Sequence, residues 1–134
     1  MTTATATKNP RTLIAAATSN TAGSTTRGTA DLRTAFGGLL TIKLTNGATG
    51  PTIQAEGRVL VAHNSGATPT AASAGTDWKT IWVFGGGTTA NAITEQSISL
   101  DQSVMHVEVE VTGNTGQTVT CEAFLSELTS INNV

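Results

Sequence analysis

The run from Met105 to Thr112, MHVEVEVT, alternates apolar and polar side chains without a break. A helix would scatter these residues around all its sides, whereas a strand puts Met105, Val107, Val109 and Val111 on one face and His106, Glu108, Glu110 and Thr112 on the other. After Gly113-Asn114-Thr115-Gly116 the alternation resumes, with Val119, Cys121 and Ala123 against Thr118, Thr120 and Glu122. Two such runs about a Gly/Asn turn predict a hairpin. Its apolar residues share one face only if Val111 faces Gln117, Val109 faces Val119 and Val107 faces Cys121, because a one-residue slip reverses every side chain. The loop then holds three or five residues, and its glycines supply positive φ. This register sets His106 opposite Glu122 on an exposed face, with Glu108 and Glu110 beside it opposite Thr120 and Thr118.

The rest of the chain repeats the theme. Leu40, Ile42 and Leu44 alternate with Thr41, Lys43 and Thr45 before NGATGP stops the strand. From Thr52 to His63 a longer strand is expected, with Ile53, Ala55, Val59 and Val61 inward and a bulge at Gly57. The run WKTIWVF, Trp78 to Phe84, is apolar on both sides towards its end and reads as a central strand; Ile93 to Leu100 leads through Asp101-Gln102 into the hairpin, with Ile98 opposite Met105. Thr12 to Thr18 is a weaker first strand, and Asp31 to Phe36 is either a helical turn or a short edge strand. Asn64 to Gly75 has no large apolar anchor and is expected to project as a loop. Residues 1–10 read as a flexible arm, 11–128 as one domain and 129–134 as a fraying tail. Seven or eight short strands without an amphipathic helix predict an all-β fold, an antiparallel sandwich or flattened barrel.

Composition narrows the class. With 134 residues there is room for one core and no second domain. Charged residues make up 12% of the chain, against ~25% in ordinary soluble domains. Surfaces built instead from Thr, Ser and Ala suit contact with other proteins. The net charge of −2 is unevenly spread: six cations stand against two anions up to Leu60, and one against seven afterwards. Either the halves neutralise each other in the fold, or a basic N-terminal part meets an acidic surface on another copy. The lone Cys121 excludes an internal disulfide and falls on an apolar face, as a buried thiol would. No apolar run is long enough to span a membrane, and MTTATATKNP lacks the apolar centre of a signal peptide, so synthesis and folding in a reducing cytoplasm are expected.

Chemistry is sparse. His106 with Glu108, Glu110 and Glu122 begins a metal site but lacks a second histidine, so a solvated or partner-facing strand is expected, with no metal and no cofactor. His63 has no nucleophile elbow to serve, and Gly85-Gly86-Gly87 has no following helix with Lys-Ser or Lys-Thr, so neither a catalytic triad nor a phosphate loop is present. No pair of carboxylates is placed to flank a cleft, and the chain is not expected to be an enzyme. Trp78 and Trp82 are four residues apart, on one face of a regular strand, where an exposed pair could stack on sugar rings. No basic stripe interleaves with aromatics, so a nucleic-acid partner is not expected.

The blocks GGLLTIKLTNGATGPT (37–52), DWKTIWVFGGG (77–87) and VEVTGNTGQTVTCEAFLSE (109–127) resemble recurring segments of small virion proteins of tailed bacteriophages, of the capsid decoration or minor capsid type. The resemblance implies a β-sandwich made in the host bacterial cytoplasm that binds an assembled shell as a small homo-oligomer, with the major capsid protein as partner and no active site. On that reading Lys8 and Arg11 tether the N-terminal arm to the shell or to a neighbouring copy, and Trp78, Trp82, His106, Glu108 and Glu110 are candidate partner-binding residues. The competing expectation is a tail-associated module binding carbohydrate or receptor through Trp78, Trp82 or the Asn64 to Gly75 loop.

Overall fold

A computed structural model describes residues 4–66, 69 and 77–133. Eight strands run in the order β1 (Ala4–Asn20), β2 (Thr26–Asp31), β3 (Gly38–Asn46), β4 (Glu56–Ala62), β5 (Trp78–Gly85), β6 (Ile93–Leu100), β7 (His106–Thr112) and β8 (Val119–Asn133). They form two antiparallel four-stranded sheets, β1-β8-β3-β6 and β2-β7-β4-β5. Strands early in the chain therefore pair with strands late in it. This is the double Greek-key, jelly-roll form of the β-sandwich.

The inner faces are the apolar sets seen in the sequence. Leu40, Ile42 and Leu44 of β3 lie beside Val119, Cys121, Ala123 and Leu125 of β8, across from Val107, Val109 and Val111 of β7 and Val59 of β4. All are essentially dry. Each large aliphatic side chain removed from water contributes about 1.5–3 kcal/mol, and together they fix which face of each strand points inward.

The connections depart from the expectations. β7 and β8 do not form a hairpin: the former pairs with β2 and β4, the latter with β1 and β3, and Gly113 to Gly116 is an arch between the sheets. Both glycines have positive φ, 93° and 80°, as expected, but the turn they make spans the sandwich. Ile98 likewise pairs with Leu40, not Met105, because β6 and β7 also belong to different sheets. Alternation reports which face of a strand is buried; it carries no information on which strand lies alongside.

Three local differences shape the outer faces of the sandwich. β5 is an edge strand, not a central one, and its apolar Ile81 and Val83 are exposed. The bulge expected at Gly57 lies in β5 instead, where Val59 pairs with Trp82 and Leu60 with Thr80, leaving Ile81 unpaired. Gly57 is small because the Phe84 ring occupies the place a side chain would take. Finally, residues 4–10 are not a free arm and residues 129–133 do not fray. They are the ends of β1 and β8, paired from Ala4 with Asn133 to Pro10 with Ser126, and they run past β3 as a two-stranded ribbon from Ala4 and Asn133 to Lys8 and Leu128. Most of the expected Asn64 to Gly75 loop lies outside the described residues.

Candidate interaction faces

On the outer face of the β2-β7-β4-β5 sheet the register aligns three rows. Asp31, His106, Ala62 and Trp78 form the first, Thr29, Glu108, Leu60 and Thr80 the second, and Arg27, Glu110, Arg58 and Val83 the third. The sequence puts His106, Glu108 and Glu110 on an exposed strand; the structure buries all three. β7 is a central strand, flanked by β2 and β4, and Arg27 of β2 lies against Glu110. His106 Nε2 donates to the Asn64 carbonyl at 3.0 Å, where the chain leaving β4 turns back across the sheet. Arg33, clamped to Asp31 at 2.7 Å, also reaches the Ser65 carbonyl. The Arg33 guanidinium holds the Asp31 carboxyl well below the usual range.

Glu108 is only 2% exposed, and its Oε2 has no hydrogen-bond partner. Burial pushes its pKa up to about 7; Glu110, two residues along the same face, adds to the rise and Arg27 opposes it. Glu110 is itself paired with Arg27 Nε at 3.4 Å. Glu122, expected opposite His106, is on the other sheet, paired with Lys43 at 3.3 Å. Among the described residues no three His, Cys, Asp or Glu groups are placed to hold a metal.

The tryptophans are separated as well. The bulge at Ile81 shifts the alternation by one residue, so Trp82 turns inward onto the core and onto Phe84, with ring centroids 5.1 Å apart, while Trp78 is in the outer row beside Ala62. They do not form one stacking platform.

The uneven charge is explained by topology. Arg11 pairs with Glu127 at 3.2 Å, Arg27 with Glu110 and Lys43 with Glu122, each joining a strand of the basic half to one of the acidic half. Arg11 is thereby held within the domain. Lys8, on the ribbon, makes no ion pair among the described residues.

The outer face of the β1-β8-β3-β6 sheet has a different character. One row runs Pro10, Ser126, Leu39, Ser99, the next Thr12, Phe124, Thr41, Ser97, and a further one Ser19, Thr120, Thr45, Ile93, separated from these by Glu122, Lys43 and Glu95. Thr41 and Ser97 share a 2.8 Å hydroxyl hydrogen bond. Leu39 and Phe124, diagonal neighbours in the middle of this hydroxyl-rich surface, are 49% and 41% exposed. Sequence reasoning passed them over, although the signal is legible: each is an apolar residue in the polar register of its strand. Beside this face a three-residue bulge in β1, between Ile14 and Thr18, holds Ala17 at φ 58° and leaves a hollow of about 260 Å³ bounded by Ala16, Lys43 and Cys121. Burial pushes the Cys121 thiol up to about 11, which favours its neutral form.

No protein-family model and no curated protein matches the sequence. Solved structures with a similar fold include the K3 adhesin domain of Lys-gingipain from Porphyromonas gingivalis, with a TM-score of 0.57 and 11% identity over 81% of this chain and 71% of that one. The T13 particle of infectious bursal disease virus gives 0.53 and 8% over 90% of this chain, and its VP2 subviral particle 0.52 and 10% over 92%. The chain spans about a third of the length of those viral chains, 31% and 32%. At these identities the likeness is one of fold.

Proposed function

We propose that this chain is a structural protein of a bacteriophage particle, a capsid decoration or minor capsid protein that seats on the assembled shell and stabilises it without catalysing a reaction. The observation that carries the reading is the outer face of the β1-β8-β3-β6 sheet. Its short hydroxyl side chains let another backbone approach closely, and Leu39 with Phe124 supplies a compact apolar centre inside a polar rim, the anatomy of a protein–protein contact. Repetition by symmetry makes many such modest contacts add up on a shell. The sequence blocks that resemble phage virion proteins, and a fold shared with a viral capsid protein, support the same reading.

Several features separate it from its competitors. The two hollows described, of about 260 and 300 Å³, are lined by residues other than His106, Glu108 and Glu110. A carbohydrate-binding module using Trp78 and Trp82 together loses its platform to the Ile81 bulge. Of the two tethers inferred from the sequence, Lys8 is available on the ribbon and Arg11 is engaged with Glu127. Co-sedimentation with assembled shells tests the proposal: the wild-type chain is expected to bind saturably, and Phe124→Glu with Leu39→Asp to abolish binding while remaining folded. Undiminished binding by the double variant would remove this face from the account.

A further inference from the structure

A four-stranded sheet has two open edges, and folded proteins guard them with prolines, lysines, bulges or covering segments. Three of the four edge strands here are guarded. β1 carries Lys8, Pro10 and Arg11 and three register shifts. β2 has Arg27 and Asp31 within six residues and is packed beside β1, where Gly28 meets the Leu13 backbone. β5 carries Lys79 and the Ile81 bulge. β6 is the least guarded, its one charge being Glu95. Its eight residues, ITEQSISL, contain no Pro, Gly, Lys or Arg, pair with β3 without a register shift, and leave Ile93, Glu95, Gln96, Ser97 and Ser99 exposed. Among the described residues nothing pairs with its outer side.

We infer that β6 is a self-association edge, on which the β6 of a second copy adds antiparallel about a two-fold axis. The other edges are guarded, so the segment of a second copy best able to pair with β6 is the same strand. Residues directly opposite in an antiparallel ladder share a face, which restricts the register. With the axis at Gln96 or Ser97, Glu95, the one charge in the strand, meets Ser97 or Ser99 of the other copy and no like charges oppose. The ladder then holds seven residues, Ile93 to Ser99 or Thr94 to Leu100, and is about 24 Å long. It is flanked by Ile93, 62% exposed, and by Ile81, 47% exposed, which lines a hollow of about 300 Å³ with Ser99, Leu100 and Met105. A single paired edge is a smaller contact than a standard interface of ~800 Å² per partner, and a weak, concentration-dependent dimer is expected.

Pairing makes one sheet of eight strands, β1-β8-β3-β6 followed by its two-fold copy, and sets the two Leu39–Phe124 faces side by side. It therefore deepens the decoration reading by supplying its oligomer, but it is tested without any shell. Sedimentation velocity of the full chain up to about 100 µM is expected to show a species of twice 13.6 kDa. Ser97→Lys, and independently Gln96→Lys, is expected to return the monomer with an unchanged near-ultraviolet spectrum, while Lys8→Glu on β1 leaves the dimer intact. Ser97→Cys for an axis at Ser97, or Gln96→Cys for an axis at Gln96, is expected to cross-link to itself under mild oxidation, with the buried Cys121 of the wild type as control. A monomer at every concentration, or a dimer that survives both lysine substitutions, overturns the inference. Either result leaves shell binding to be judged by its own experiment, because single copies can seat on a shell.

Discussion

The side-chain amides of Asn20 and Asn114 bond to each other at 2.6 Å in the fully buried end of the sandwich. Asn114 Nδ2 also donates to the Asn20 and Gln117 carbonyls, and Thr26 donates to Asn20 Oδ1. This network ties the arch between β7 and β8 to the turn between β1 and β2, two crossovers of the jelly roll. A buried amide left unpartnered costs about 1–3 kcal/mol, and Asn114→Ala orphans more than one group. It is expected to lower stability by about 3 kcal/mol in urea unfolding, with an unchanged m-value. A loss below about 0.5 kcal/mol would show that the arch is held by other contacts.

Glu108 gives the fold a pH dependence of definite sign. Its pKa is raised from about 4.5 to about 7 on folding, so the folded state holds a proton that the unfolded chain releases between those values. Stability is then greatest below pH 4.5, falls as pH rises towards 7 and levels off above it; the full swing is of order 3 kcal/mol. Asp31, lowered by Arg33, acts in the opposite sense and only at more acid pH, outside this window. Urea midpoints measured from pH 4.5 to 8 should show the fall in the wild type and a markedly flatter profile in Glu108→Gln. Equal slopes would mean that Glu108 does not carry the proton.

Ala17 is held in the left-handed region at φ 58° by the β1 bulge. That conformation costs a residue with a Cβ about 1–2 kcal/mol and glycine almost nothing. Ala17→Gly is therefore expected to stabilise the protein by roughly 0.5–1 kcal/mol despite glycine's greater freedom when unfolded. Calorimetry reads the change directly, and a lower melting temperature would contradict it.

The two tryptophans should behave as a core residue and an outer-face residue. Trp82→Ala removes the contact with Phe84 and part of the core, at a cost of about 3 kcal/mol. A soluble glycan panel is expected to leave tryptophan emission unchanged. Saturable quenching by one sugar would revive the carbohydrate-binding reading.

Much of this architecture was legible in the residues. The period of two in β3, β7 and β8 gives the strands and their inner faces, and the lack of an amphipathic helix gives the all-β class. Pairing was not legible: Val107 and Cys121 both line the core but from different sheets, and nothing in local alternation distinguishes that arrangement from a hairpin. The same gap explains His106, Glu108 and Glu110. Their polarity suggested solvent, yet their burial depends on the central position of β7, which only the long-range pairing determines. The Ile81 bulge, with no glycine to mark it, reversed the relation between Trp78 and Trp82. Leu39 and Phe124 were readable as exceptions to their own strand patterns.

The central claim is that this sandwich works as part of a particle. Quantitative mass spectrometry of purified particles released by the host encoding this chain tests it most directly. The account predicts the chain among the virion proteins at a fixed stoichiometry to the major capsid protein. Particles that contain the capsid protein but none of this chain would contradict it.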